Sequence, residues 1–320
     1  MTLGNFVRRS RSRWRRLEEM IGFVEARGPV GTDRAFLHEL TSIYRATTGD
    51  LAYAQTHYQG TTLLLFLHQL VARAHNQIYR PHRATAKDTS RFFFNEIPRA
   101  VQQHLQAVVW SAIIFLLGVA LGLSAVQYDE RAASIILPNN VLNSIYSGHM
   151  WTGNIFSVVP APVASTFIFT SNISVALLAF AGGLSFGIIT TLILFENGFM
   201  LGVCFKLCAK YGLLGSLVAF VASHGVLEIS TIILAGGGGY VLANALLNPG
   251  SLSRADAMAL QGRSAVRMAI ACVPALVTAG CFEAFISPSN IALWIKVTVG
   301  LILGIGFWLY LLLTGKTAQK

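Results

Sequence analysis

His224 and Glu228 stand four residues apart in HGVLEI, so a helix would present an imidazole and a carboxylate on one face. Such a pair is the start of a metalloprotease set, in which His-Glu-x-x-His supplies two zinc ligands and a general base. The second histidine is missing here, and His149 is the only other histidine beyond residue 104. Cys204 and Cys208 share a helix face, but no histidine or second cysteine pair sits beside them, so no metal residues are assigned. The glycine clusters lack the Gly-Lys-Ser/Thr of a phosphate-binding loop. These patterns assign no catalytic or cofactor-binding residue, and no enzyme activity is expected of the isolated chain.

What the sequence does carry is a set of polar residues within apolar surroundings. They are Asn172, Glu196, Asn197, Gly198, Lys206, Lys210, His224, Gly225 and Glu228, with Glu283 further along. Charged side chains in lipid are costly and turn toward protein or a wet cavity. Two readings follow. In the first, Glu228 is neutralised as a structural ion pair by Lys206 or Lys210. In the second, the cluster is a polar conduit or ligand site. Either way, His224 and Glu228 are expected to point into the bundle and approach Lys206, Lys210 or Asn197.

The elements that must position these residues are membrane spans. Charged residues make up 12% of the 320-residue chain and hydrophobic residues 54%, whereas soluble domains carry roughly 25% charged residues. The uncharged run from Ile173 to Phe195 can cross a hydrocarbon core of about 30 Å as one helix. Further spans are expected at 105–126, 225–247, 267–285 and 291–313. The stretch 199–223 is either one span with its lysines inward, or a re-entrant half-helix at 199–210 followed by a shorter span. Gly118 and Gly122 are spaced for close helix contact, as are Gly183, Gly187 and the run 236–239. The connection 127–170 is uncharged beyond Arg131, with short interfacial helices expected around Pro160 and Pro162. Trp151 is placed at headgroup level, and His149 is an interfacial histidine or a site lining. Lys296 is expected to snorkel, and the four cysteines to be buried hydrophobes.

Basic residues set the orientation. Residues 1–104 hold fifteen, the 248–267 loop three and the tail two, Lys316 and Lys320. Six spans put all three segments on the cytoplasmic side. The fold class is therefore all-α: a polytopic helix bundle of six spans at 105–320, both termini cytoplasmic, with a cytoplasmic helical and interfacial region at 1–104. The formal net charge of +10 is concentrated in that region, where anionic lipid and topology explain it, and no nucleic-acid partner is expected. Three amphipathic stripes lie there: Trp14, Leu17, Ile21 and Val24; then Leu37, Leu40, Tyr44, Leu51 and Ala54; then Leu67, Leu70, Val71, Ala74, Ile78 and Tyr79. Breaks are expected near Gly28-Pro29 and Gly60. Asp50 could pair with an arginine, and Arg91 to Gln103 reads as an interfacial helix feeding the first span.

Several stretches resemble the stage II sporulation protein M family of integral membrane proteins, in its longer, non-sporulation branch with an amino-terminal helical region. They are LTSIYRATTGDLAYA at 40–54, LVARAHNQIY at 70–79 and FFFNEIP at 92–98. In the membrane part they are SNISVALLAFAGGLSFG at 171–187, FENGFMLG at 195–202 and HGVLEI at 224–229. The resemblance implies attention to Asn172, Asn197, Gly198, His224, Gly225 and Glu228, without catalytic roles. It implies a non-enzymatic scaffold or partner-recruiting protein of the cell membrane, linked to cell-envelope processes. A MoxR-type ATPase system is an implied partner; independently of the resemblance, membrane lipids, membrane or cytoplasmic proteins and a second copy of the chain are expected partners. The alternative is a transporter or channel for a small solute, ion or lipid.

Overall fold

The computed structural model describes residues 2–27, 33–79, 85–151, 161–289 and 291–315. The expected breaks at Gly28-Pro29 and Pro160, and the tail lysines Lys316 and Lys320, lie outside the described residues. The chain forms two compact units, Met1–Ala84 and Thr85–Lys320. Residues 85–104, grouped with the amino-terminal region on sequence, pack with the spans instead. The second unit opens on a capping box, with the Asp88 N–H donating to Thr85 Oγ1 and the Thr85 N–H to Asp88 Oδ2.

The first unit consists of α1 (Leu3–Arg27), α2 (Arg34–His57) and α3 (Thr62–Ile78). Trp14, Leu17, Ile21 and Val24 are buried against Leu40, Leu51 and Ala54 and against Leu67, Leu70 and Ala74. Leu37 and Tyr79 belong to the expected stripes but are exposed; Leu37 lies in the first turn of α2 and Tyr79 just past the end of α3. Asp50 accepts from Arg13 Nη2 at 2.6 Å and from Trp14 Nε1 at 2.7 Å, which ties the polar edge of α1 to α2.

The second unit begins with α4 (Ala86–Arg91), a π-helical turn (Phe92–Glu96) and α5 (Ile97–Gln103), with Pro98 at the helix start where its missing N–H is harmless. Then come α6 (Leu105–Tyr128), the short α7 (Ala133–Ile136) and α8 (Asn139–Tyr146), α9 (Ala161–Ala181), α10 (Ile188–Lys210), α11 (Leu214–Val221), α12 (Gly225–Leu247), α13 (Arg254–Phe285) and α14 (Leu293–Leu313). Five of these are long and apolar enough to cross a membrane: α6, α10, α12, α13 and α14. A sixth apolar stretch, Thr170–Ser185, is shorter. The unit is thus an all-helical, polytopic membrane bundle. Its centre is α12, whose apolar stretch is 72% buried against 22–39% for the other four.

Glycine makes that burial possible. A Cβ on Gly236 would meet Ser111 and Leu194, one on Gly237 Val108, and one on Gly239 the Ala179 carbonyl and Thr190. A second close approach joins α6 to α10. Gly118 and Gly122 face the backbone of Phe195 and Phe199, while Gly198 and Gly202 face that of Phe115 and Val119. The two four-residue glycine pairs interlock reciprocally.

The structure corrects the span boundaries. Ile173–Phe195 is not one helix. A 3₁₀ turn at Gly182–Ser185, then Phe186 at φ 59° and Gly187 at φ 84°, reverses the chain into a hairpin of α9 and α10. Thr190 Oγ1 closes it by donating to the Ala179 carbonyl at 2.7 Å, and Gly183 packs on Gly239. Gly187 serves the turn and, like Gly183, also lies against α12, where a Cβ would meet Ala243 and Tyr240. The stretch 199–223 is neither a single span nor a re-entrant half-helix at 199–210. Residues to Lys210 complete α10, and the short α11 follows after a turn through Gly212. Lys296 does not snorkel: it is 4% exposed and donates to the carbonyls of Ser287 and Ser289 at 2.7 and 2.8 Å, just past the end of α13. Of the cysteines, Cys208 and Cys272 are buried, Cys204 is half-buried and Cys281 is exposed.

Candidate functional site

The site forms where the chain breaks between α11 and α12. The break, Ala222–His224, lies against α14, where Gly300 has no Cβ to collide with the Ala222 carbonyl. His224 caps the start of α12, and one turn later the helix carries Glu228. His224 is 3% exposed, with its Nε2 3.9 Å from Glu228 Oε2. Its Nδ1 is 2.9 Å from Ser287 Oγ, which also lies 2.9 Å from Ser223 Oγ. Lys296 holds the Ser287 carbonyl. The buried lysine thus fixes the turn after α13, that turn orients the imidazole, and the imidazole faces the carboxylate.

Glu228 points into a cavity of about 280 Å³, where the side chain of Asn172 hydrogen-bonds it. Glu283, from the last turn of α13, lines the same cavity close enough for the two carboxyls to act on one another. Glu283 is 0% exposed, and neither of its oxygens has a hydrogen-bond partner among the described residues. Apolar and aromatic side chains form most of the wall, including Phe115, Trp151, Phe205 and Phe220. No lysine or arginine is among the described lining residues. Among the described residues, no three of His, Cys, Asp and Glu are grouped to hold a metal ion.

Five of the nine residues singled out on sequence meet here: Asn172, Asn197, His224, Gly225 and Glu228. The other four lie elsewhere. Gly198 packs on the Phe115 backbone. Glu196 is exposed on the outer face of α10, and Lys206 is half-buried outside the cavity lining. Lys210 does not neutralise Glu228. It pairs with Glu130 just past α6, and this hydrogen bond holds the Glu130 carboxyl below its ordinary range. Tyr211 O–H adds a 3.3 Å bond to the same carboxylate.

The match to the family model for stage II sporulation protein M runs over residues 111–288, more than half of the chain, and includes all the cavity acids. The chain belongs to the stage II sporulation protein M family. A second model, a domain of unknown function (DUF8413), matches residues 4–80, the three helices of the first unit. Neither the comparison with curated proteins nor that with solved structures gives a match.

Within this family member, the meeting of Glu283 with Glu228, the place of Ser287 against His224 and that of Trp151 at the cavity escape the sequence patterns. Glu283 is separated from Glu228 by a whole helical hairpin, so no spacing rule links them. Ser287 reads as an ordinary turn residue after a span. Trp151 lines the cavity, whereas an aromatic beside a long loop reads as a headgroup anchor. The available signal for Glu283 was its isolation: a carboxylate in apolar sequence needs either a partner or a ligand.

Proposed function

We propose that this chain is a non-enzymatic membrane carrier or channel that admits a small solute to the Glu228–Glu283 cavity. The observation that carries this reading is the unpartnered, fully buried Glu283 carboxyl beside a cavity whose other acid is hydrogen-bonded by Asn172, with His224 Nε2 3.9 Å away. A structural acid pair would be satisfied by donors within the protein, and a passage needs polar groups that can exchange partners. The broken α11–α12 connection supplies irregular backbone beside the cavity, as binding sites within membranes require. The test is uptake into liposomes by purified protein across a panel of small cations, neutral solutes and anions. Uptake that disappears in Glu283→Gln supports the reading. A folded protein that moves none of them removes it.

The crossing pattern belongs to the same proposal. Glu96 pairs with Arg267 at 2.9 Å, and Gln102 donates to the carbonyls of Leu311 and Thr314 at 3.0 and 2.8 Å. These contacts gather residues 96–102, 267 and 311–314 at one end of the bundle. With α9 crossing as the sixth span, that end is cytoplasmic, as the excess of basic residues there requires.

A second reading rests on the first unit. Its three helices bury their own core, and Arg9, Arg11 and Arg15 remain exposed on α1. That surface suits recruitment of an acidic partner at the cytoplasmic face, the scaffold role. Partner capture that survives Glu283→Gln but fails when those arginines become glutamates would select it.

A further inference from the structure

We infer that the solute held between Glu228 and Glu283 is a small organic ammonium cation; this rests on the carrier reading above and names its substrate class. Charge complementarity gives the sign. Two carboxyls line the cavity and no lysine or arginine does among the described residues: Lys296 is committed to the Ser287 and Ser289 carbonyls, Lys210 to Glu130, and the half-buried Lys206 lies outside the lining. Glu283 brings two acceptor oxygens with no donor among the described residues, which an ammonium group would satisfy.

Size and wall chemistry give the rest. The cavity, about 280 Å³, is several times the roughly 30 Å³ that one water occupies in the liquid. A bare metal ion would leave most of it unfilled. The lining includes the rings of Phe115, Trp151, Phe205 and Phe220 among aliphatic side chains such as Leu201 and Ile229. Aromatic faces attract a desolvated cation and also accept the apolar body that carries it. Two acids in a lining that is otherwise mostly aromatic and aliphatic match an amine with a hydrocarbon or aromatic body, and match neither a hydrated alkali ion nor an anion.

The experiment is isothermal titration of the purified full-length chain in nanodiscs with benzylammonium, benzyl alcohol and sodium chloride, paired with uptake of the same probes into liposomes. The expected result is saturable binding of the ammonium, at least tenfold tighter than the neutral alcohol. Glu283→Gln should abolish it. Trp151→Leu keeps both acids and should weaken it several-fold, which guards against a misfolded Glu283 variant. Binding of the alcohol as tightly as the ammonium overturns the inference. So does sodium binding or uptake without ammonium binding, although that result leaves the carrier reading standing. Ammonium binding without uptake upholds the inference and removes the carrier reading.

Discussion

Glu283 keeps a carboxyl where an apolar side chain would be cheaper. A buried polar group without partners costs about 1–3 kcal/mol, and replacing buried ionisable groups by apolar ones of similar size is often neutral or stabilising. Glu283→Met is therefore expected to raise the detergent melting temperature by a few degrees while abolishing cation binding, the usual exchange between stability and function. A lower melting temperature would show instead that Glu283 holds the bundle together. At the edge of the first unit the acids work differently. Glu25 and Glu39 are held below their ordinary value of 4.5 by hydrogen bonds from Arg73 and Arg16. Their folded-state values are depressed, so the unfolded chain takes up protons first as pH falls. The stability they contribute is complete above about 4.5 and fades below it. Hydrogen exchange of α1–α3 should accelerate as pH falls below that value, after correction for intrinsic rates. Arg73→Gln should flatten this dependence, and an unchanged acid limb would mean the pairs contribute nothing to folding.

At the scale of elements, close helix contact carries the bundle. Gly198 on α10 meets the Phe115 carbonyl and Gly122 on α6 the Phe199 carbonyl, so Gly198→Leu must push the helices apart along their whole seam. We expect loss of folded yield in detergent, with Gly306→Leu as a control, since a Cβ at Gly306 meets nothing within 4 Å. Equal yields would sink the seam. The hairpin turn allows a prediction of opposite sign. Phe186 occupies a left-handed conformation at φ 59°, which costs a non-glycine residue roughly 1–2 kcal/mol. Phe186→Gly should stabilise the protein by up to about 1 kcal/mol, read from chemical unfolding; a decrease would assign the ring a packing role. This turn also shows what the sequence could and could not display. Gly118 and Gly122 announced their contact through spacing alone, and the amphipathic stripes of α1–α3 located a buried core. The run 173–195 hid its reversal because hydropathy records polarity and not direction: a hairpin at one edge of the membrane is as uncharged as a straight helix. The visible signal was local, in Gly182, Gly183, Ser185 and Gly187, with Ser185 Oγ accepting from the Ile189 N–H at 2.9 Å to start α10. Half of the site was readable because His224 and Glu228 share a helix. The other half, Glu283 and Ser287, more than fifty positions further along the chain, is brought in by the packing of α13 on α12, which no local pattern encodes.

At the scale of the whole molecule, the six-crossing arrangement proposed above predicts residue 130 outside and residue 255 inside. Single cysteines at these positions, in a chain whose four native cysteines are replaced, should react oppositely with an impermeant reagent applied to intact cells. Equal reactivity would refute the arrangement. The same end of the bundle holds a further consequence. The Tyr310 hydroxyl donates to the Phe93 carbonyl at 2.6 Å and Arg99 Nε to the Gly315 carbonyl at 2.7 Å, so the membrane unit starts and finishes at one place. Its backbone is a nearly closed ring, and the point at which the ring is cut need not matter to the packing. A circular permutant of residues 85–315, joined through a short flexible linker and reopened in the polar loop 248–253, should insert and fold with its cavity intact. If it cannot, the order in which the helices leave the ribosome is part of the information that builds this bundle.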